Sequence, residues 1–448
     1  MGKGGWQFRV GATLLLAIVS ALWLGGCAGD GPSLPKISEL NPFKEKQTPL
    51  PGRRIPIVET TESISSNLAD ANTPVVIPSP RMNDAWSQPG GDANNAPGNL
   101  ALNGPLHQLW SASAGEGSSK TGRVTASPIV FEGRIYTLDA AANVSAFTLS
   151  GSSVFTISTK PETTVGLGGY GGGLAADNGR LYVANGYGVV AALDPATGKS
   201  IWSKNLDVPV RAAPTAAGDR LYVITIDGRF YCLSGVDGSE LWAARGLPQS
   251  ASLMTSTSPA VTDDVVVVPY PSGDIMAFKL SDGSTVWTEN LARTRQTSQI
   301  ASMSDVARPA IDNGVVFAIG HAGRMVAAKA KTGDRLWSLS IPGSEPPCVA
   351  GDSVYVVDTG GRLMALSRTD GKTQWLTQLP AAKNYAGPIL AANTLWLVSS
   401  TGDVVSVDPV TGKVGGTMSI GDKVFIPPIV AQGHMFVLTD SAKLIALN

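Results

Sequence analysis

Apolar residues along most of this chain come in short runs cut by Gly-plus-polar breaks. Ile135-Tyr136 follows Gly133-Arg134, Leu181-Tyr182 follows Gly179-Arg180, Leu221-Tyr222 follows Gly218-Asp219-Arg220, and Val354-Tyr355 follows Gly351-Asp352-Ser353. Short aliphatic and β-branched runs bounded by turn residues read as strands. The breaks recur in one frame. Gly-x-x-x-Trp aligns Gly198/Trp202, Gly238/Trp242, Gly283/Trp287, Gly333/Trp337 and Gly371/Trp375, while Gly151/Phe155 and Gly412/Gly416 fit with the aromatic replaced. Successive frames lie 47, 40, 45, 50, 38 and 41 residues apart. Each unit opens on a small-residue strand that often carries Pro, as in Ser127-Pro128-Ile129-Val130, Ala213-Pro214-Thr215, Ser258-Pro259-Ala260 and Arg308-Pro309-Ala310. The apolar strand after the Gly-polar turn comes second, and a run such as Val189-Val190-Ala191-Ala192-Leu193 third. The fourth strand carries the Trp. Four short strands in about 40–45 residues are the period of a β-propeller blade.

First strands begin near Ala126, Gly172, Ala212, Thr257, Ala307, Pro346, Ala386 and Pro427, which predicts eight blades. The eighth unit reaches Asn448 with three strands. Leu106-His107-Gln108-Leu109-Trp110 has fourth-strand character and precedes the first unit. The expectation is an all-β, eight-bladed propeller of four-stranded antiparallel blades, its ring closed by this N-terminal strand pairing with the last blade. Closure removes sheet edges that would otherwise pair with other chains. The repeated Trp reads as a wedge between adjacent blades, since one such ring buries about 150–250 Å². At Gly416 the wedge is missing, which reads as a looser contact.

The N-terminus follows a different pattern. Lys3 and Arg9 precede an apolar run from Val10 to Leu24, shorter than the roughly 20 residues a membrane span needs and suited to a signal peptide. The run ends in Leu24-Gly25-Gly26-Cys27, which resembles the lipobox of bacterial lipoproteins. That resemblance implies cleavage before Cys27 and acylation of it, and Ala28 after the Cys implies sorting to the outer membrane. Several acyl chains make a stable anchor where one does not. Pro32, Pro35, Pro42, Pro49, Pro51, Pro56, Pro74, Pro78 and Pro80 then punctuate a stretch without sustained apolar period. The expected organisation is a signal peptide over 1–26, an acylated Cys and Pro-rich tether over 27–83, and the propeller over 84–448. Such a tether reaches between roughly 40 and 170 Å, depending on how extended it is.

Composition narrows the function. Charged residues are 15 % of the chain, and 34 Lys plus Arg offset 35 Asp plus Glu to a net charge of −1. No basic excess is available for nucleic acid. The histidines His107, His321 and His434 fall in different units without metal-ligand spacing; His107 and His434 sit in predicted strands as structural residues and His321 in a solvated turn. Cys232 and Cys348 are three blades apart, too far for a disulfide. Gly166-Leu167-Gly168-Gly169-Tyr170-Gly171-Gly172-Gly173 lacks the Lys-Ser/Thr of a phosphate-binding loop and reads as a flexible lead into the second blade. No catalytic residue, metal site or cofactor is expected.

Asp194-Pro195-Ala196-Thr197-Gly198-Lys199-Ser200-Ile201-Trp202 resembles the repeat of pyrroloquinoline-quinone-type propellers, and Trp86-Ser87-Gln88-Pro89-Gly90-Gly91-Asp92 resembles their opening segment. With the lipobox, the tether and eight blades, the chain resembles the BamB family, lipoprotein subunits of the outer-membrane β-barrel assembly machine. The resemblance covers about residues 84–448. It implies a non-enzymatic adaptor at the periplasmic face of the outer membrane, docked through loops of one face to the periplasmic POTRA domains of the barrel-forming subunit, BamA. Two family loops fall at Ala251-Ser252-Leu253-Met254-Thr255 and Ser304-Asp305-Val306-Ala307-Arg308. Leu253, Met254, Asp305 and Arg308 are therefore the expected contacts, with Met254 standing where the family has Arg and one acid kept of an Asp-x-Asp pair. Unfolded barrel precursors, added to a blade edge as an extra strand, are a further expected partner. A lipoprotein sensor or ligand-binding propeller is the alternative. A quinoprotein dehydrogenase is a weaker one, because the chain lacks an adjacent Cys pair, a Cys-x-x-Cys-His haem motif and large insertions between blades.

Overall fold

Each repeat unit folds into one antiparallel sheet. The computed structural model describes residues 75–448 apart from 163–168, 247–256, 292–305, 381 and 383. The expected signal peptide, Cys27, most of the tether and the first three residues of the Gly-rich run lie outside the described residues. Eight sheets are present, six of them built from four strands consecutive in sequence. Blade 3 is representative. Thr215–Ala217 pairs with Arg220–Ile224, that strand with Arg229–Ser234, and the third with Glu240–Arg245. The eight innermost strands begin at Ile129, Gly172, Thr215, Ala260, Ala310, Cys348, Tyr385 and Ile429, within three residues of the expected starts.

Second strands such as Val265–Pro269 and Ser353–Val357 are buried along their whole length. Both faces of a blade are covered by its neighbours, which is why these strands read as continuous apolar runs and not as alternation. The outermost strands do alternate, with one face on the next blade and one in solvent, as in Ser200–Asn205. The ring closes as expected. Gln108–Ser113 pairs antiparallel with Lys443–Leu447 to complete blade 8.

The repeated Trp is the wedge between blades. Trp110, Trp202, Trp242, Trp287, Trp337 and Trp375 each donate the indole N–H at 2.8–3.0 Å to a carbonyl in the third-to-fourth-strand turn of the next blade. The glycine of that turn lies against the same ring. A methyl carbon built on Gly151, Gly198, Gly238, Gly283, Gly333, Gly371 or Gly412 would sit 2.4–2.9 Å from an atom of the preceding blade's Trp or Phe155. These glycines also have φ between +71° and +86°, where a side chain is strained. The Gly-x-x-x-Trp frame therefore couples two different contacts: its Gly receives one blade's wedge and its Trp supplies the next.

This coupling explains Gly416. The fourth strand of blade 8 comes from Gln108–Ser113, so no turn joins it to the third strand, Lys443–Leu447. A Trp at position 416 of blade 7 would have no turn to enter, and nothing lies within 4 Å of a methyl carbon built on Gly416.

The segment before the closing strand was unforeseen in its role. Residues 83–101 walk around the inner ends of the blades. Gln432 N–H of blade 8 donates to Asn83 O at 2.8 Å, Val130 of blade 1 exchanges two backbone bonds with Trp86, and Ala176 of blade 2 donates to Ser87 O at 2.8 Å. The Gln88 amide bridges blades 2 and 3 by donating to Ala176 O and Ala216 O at 3.3 and 2.9 Å. Val261 of blade 4 and Ile311 of blade 5 donate to Ala93 O and Asn94 O at 2.7 and 2.8 Å. Asn99–Leu100 then adds a fifth strand, parallel to Tyr385–Ala391 of blade 7. Upstream, Val76 O accepts from Asp352 N–H of blade 6 at 3.2 Å. One stretch of chain thus clasps all eight blades, giving partners to inner-strand backbone groups that face the channel.

Candidate docking face and the channel floor

Strand direction sorts the turns onto two faces. Turns between first and second strands and between third and fourth strands share one face; Val76 meets the propeller there, at the Gly351-Asp352 turn. Turns between second and third strands share the opposite face with the connectors that join blades. Both expected contact loops are connectors of that second face. Leu253, Met254 and Asp305 lie outside the described residues, but the bases of their loops are described. Thr257 Oγ1, at the base of the first, donates to Val306 O, at the base of the second, at 3.5 Å. Thr257 O also accepts from Ala213 N–H at 2.9 Å, and Leu291 N–H donates to Gly273 O at 2.7 Å. The described bases of the two connectors, between blades 3 and 4 and between blades 4 and 5, therefore lie side by side.

Arg308 stands apart from the rest of the expected set. It is 4 % exposed and its side chain lies in the channel wall, not on the loop surface. Burial pushes its guanidinium down to about 10, with the carboxylate of Glu345 acting in the opposite direction. Glu345 is half-buried, accepts from Gly387 N–H at 3.2 Å, and is pushed up to about 7 by burial. Sequence reading missed Glu345, which sits in a Pro-rich connector with no pattern around it.

Other buried polar side chains have structural work. Asp139, Asn185 and Asp358 head equivalent turns, each accepting from the backbone N–H groups two and four residues on, at 2.8–3.2 Å. These are Asx turns. His107 is exposed one residue before the closing strand, where a strand position was expected, because that strand starts at Gln108. His321 is half-buried in its turn, where full solvation was expected. His434 begins its strand, with its ring 6.4 Å from Phe436. Among the described residues no three His, Cys, Asp or Glu side chains group as a metal site, and Cys232 and Cys348 are free thiols.

Where the inner strands of blades 5 to 8 begin, the channel holds a small cavity whose floor is the clasp. Trp86, Asn95 and Leu100 of the clasp line it together with Arg308, Cys348, Ile389 and four prolines: Pro346, Pro347, Pro388 and Pro427.

Comparison with known proteins follows from this geometry. The family described as "Outer membrane protein assembly factor BamB" matches residues 140–377, 238 of the 448. A curated outer membrane protein assembly factor BamB of Moranella endobia is 22 % identical over 322 residues, covering 60 % of this chain and 83 % of that protein. The first three curated relatives are matched over 64 %, 83 % and 62 % of their own lengths, so the chain spans less than two thirds of two of them. Among solved structures, BamB from Moraxella catarrhalis superposes with a TM-score of 0.66 at 17 % identity, over 77 % of this chain and all of that one. Quinohemoprotein alcohol dehydrogenase from Comamonas testosteroni gives the same TM-score at 13 % identity, over 86 % of this chain and 84 % of that one. At these identities the structures share the fold, and fold alone does not separate an adaptor from an enzyme. The match to the family across more than half of its length decides the assignment: the chain belongs to the outer membrane protein assembly factor BamB family.

Proposed function

We propose that the chain is a non-enzymatic lipoprotein adaptor of the β-barrel assembly machine. It is anchored through Cys27 to the outer membrane, faces the periplasm, and docks the POTRA domains of BamA. The observation that carries this reading is the pairing of the two connector bases through Thr257 and Val306 on one face. Neighbouring loops carried on a rigid scaffold suit a protein partner. Val76 meets the opposite face of the ring, at the Gly351-Asp352 turn. Leu253, Met254 and Asp305 are the proposed contacts. Arg308 is left out of this set, since its burial keeps it from solvent.

A pull-down of the acylated protein in detergent tests the proposal, with wild type compared against Leu253→Glu and Asp305→Arg. BamA recovered by wild type and lost in either variant supports both the function and the contacts. Recovery by all three discards the contacts, and no recovery by wild type discards the function. A second role, holding barrel precursors, draws support from the outermost strands. Leu109, Val154, Ile201, Leu241 and Leu336, each just before the wedge ring, are 40–49 % exposed along edges that a precursor strand would meet. Unchanged hydrogen–deuterium exchange at every outer strand with a precursor peptide present would sink it.

A further inference from the structure

The channel floor gathers polar atoms that the fold leaves unused. Arg308 is 96 % buried, taking its 4 % exposure, yet its Nε and Nη1 have no hydrogen-bond partner. Glu345 attracts it only at a distance, for among the described residues Arg308 forms no ion pair. Trp86 is 2 % exposed with its indole N–H unpartnered, and Asn95 is 6 % exposed with Oδ1 unpartnered. The orientation of the Asn95 amide is fixed, because its Nδ2 donates to Pro259 O and Pro309 O at 3.2 and 3.0 Å. Its free atom is therefore an acceptor. All three residues line the same cavity.

A buried, unpaired cation and buried groups with unmade hydrogen bonds both destabilise a fold unless something compensates them. The donors ask for an anion and the acceptor asks for a hydroxyl. The remaining wall, with Pro346, Pro388 and Ile389, suits a short carbon chain.

We propose that this cavity binds a small hydroxycarboxylate, with its carboxylate on Arg308 and Trp86 and its hydroxyl donating to Asn95 Oδ1. The depth of Arg308 favours a free small molecule over a side chain presented by a docked protein. The proposal does not depend on the docking reading, since the site is built wholly from channel residues.

Ligand-observed saturation-transfer NMR on the full-length protein tests it, with lactate as probe and propionate and lactamide as comparators. The expected result is saturable transfer to lactate, several-fold weaker binding of propionate, and none of lactamide. Arg308→Gln should weaken lactate binding at least tenfold. Trp86→Phe, which keeps an aromatic ring and removes the N–H, should weaken it several-fold, and stands in if Arg308→Gln fails to fold. No saturable transfer to lactate in wild type, or propionate or lactamide binding as tightly as lactate, would overturn the proposal.

Discussion

If the turn glycine receives the preceding blade's wedge, a single methyl group there should unseat it. Gly283 offers the tightest case. A methyl carbon built on it lies 2.4 Å from Trp242 Cε3, and its φ is +71°. Ordinary carbon contacts lie at about 3.5–4.0 Å, so the ring would have to retreat by more than 1 Å. Retreat is blocked. Trp242 is 8 % exposed, packs on Tyr222 and Phe230 at centroid distances of 6.2 and 5.6 Å, and is tied to Leu280 O at 3.0 Å. Left-handed backbone at an Ala costs about 1–2 kcal/mol and overpacking about 1–3 kcal/mol. Gly283→Ala should therefore destabilise by roughly 2–5 kcal/mol. The control is Gly416→Ala, where the methyl meets nothing within 4 Å and the strand gains a better former. It should be neutral or stabilise by at most about 0.5–1 kcal/mol. One kcal/mol shifts the melting temperature by roughly 2–4 °C in domains of 150–250 residues, and by less in a larger ring. Differential scanning calorimetry should then show a loss of several degrees for Gly283→Ala and almost none for Gly416→Ala. Equal melting temperatures for the two variants would refute the wedge-and-socket account.

Further outcomes follow from the same contacts. Trp337→Phe keeps an aromatic ring but shrinks the wedge and leaves Arg368 O without its 2.9 Å bond, and should cost at least about 1 kcal/mol in urea unfolding. Gln88→Ala removes the amide that bridges Ala176 O and Ala216 O and should cost roughly 1–3 kcal/mol for the buried groups left unpaired, read by the same assay. Glu345 is raised in the fold from 4.5 to about 7, so between those values the folded chain holds a proton that the unfolded chain releases. Wild-type stability should therefore fall as pH rises from 4.5 to 7, by up to roughly 3 kcal/mol. Glu345→Gln should flatten that slope; a slope unchanged by the substitution would count against this account. Ala112→Pro removes an N–H from the closing strand opposite Leu444, and should lower the melting temperature more than a Pro in the exposed Asn103–Pro105 loop.

The blade count, strand order, ring closure and wedge were legible in the sequence because each is a local periodic pattern repeated many times. A residue type recurring every 40 or so positions has no local reason to persist, so its repetition reports a shared packing site. What the repeat could not convey was how its members meet. Gly198 and Trp202 look like one motif, yet they contact different neighbours, Phe155 before and Gly235 after. Only the ring shows that the missing Trp at Gly416 follows from the split blade.

The clasp was hidden because its bonds run mostly through backbone atoms of partners far away in sequence, and backbone groups carry no residue signature. The channel floor was hidden for a related reason. Trp86, Asn95, Arg308 and Glu345 come from the clasp and two connectors, and no spacing relates them until eight blades close around an axis. Arg308 shows the difference most plainly. Its sequence neighbours suggested a loop surface, while the fold buries it 96 %. The repeat pattern determined the ring because burial of apolar strands between neighbours is a periodic requirement. The tertiary structure alone decided what fills its centre, because the axis is where side chains from non-repeating segments converge.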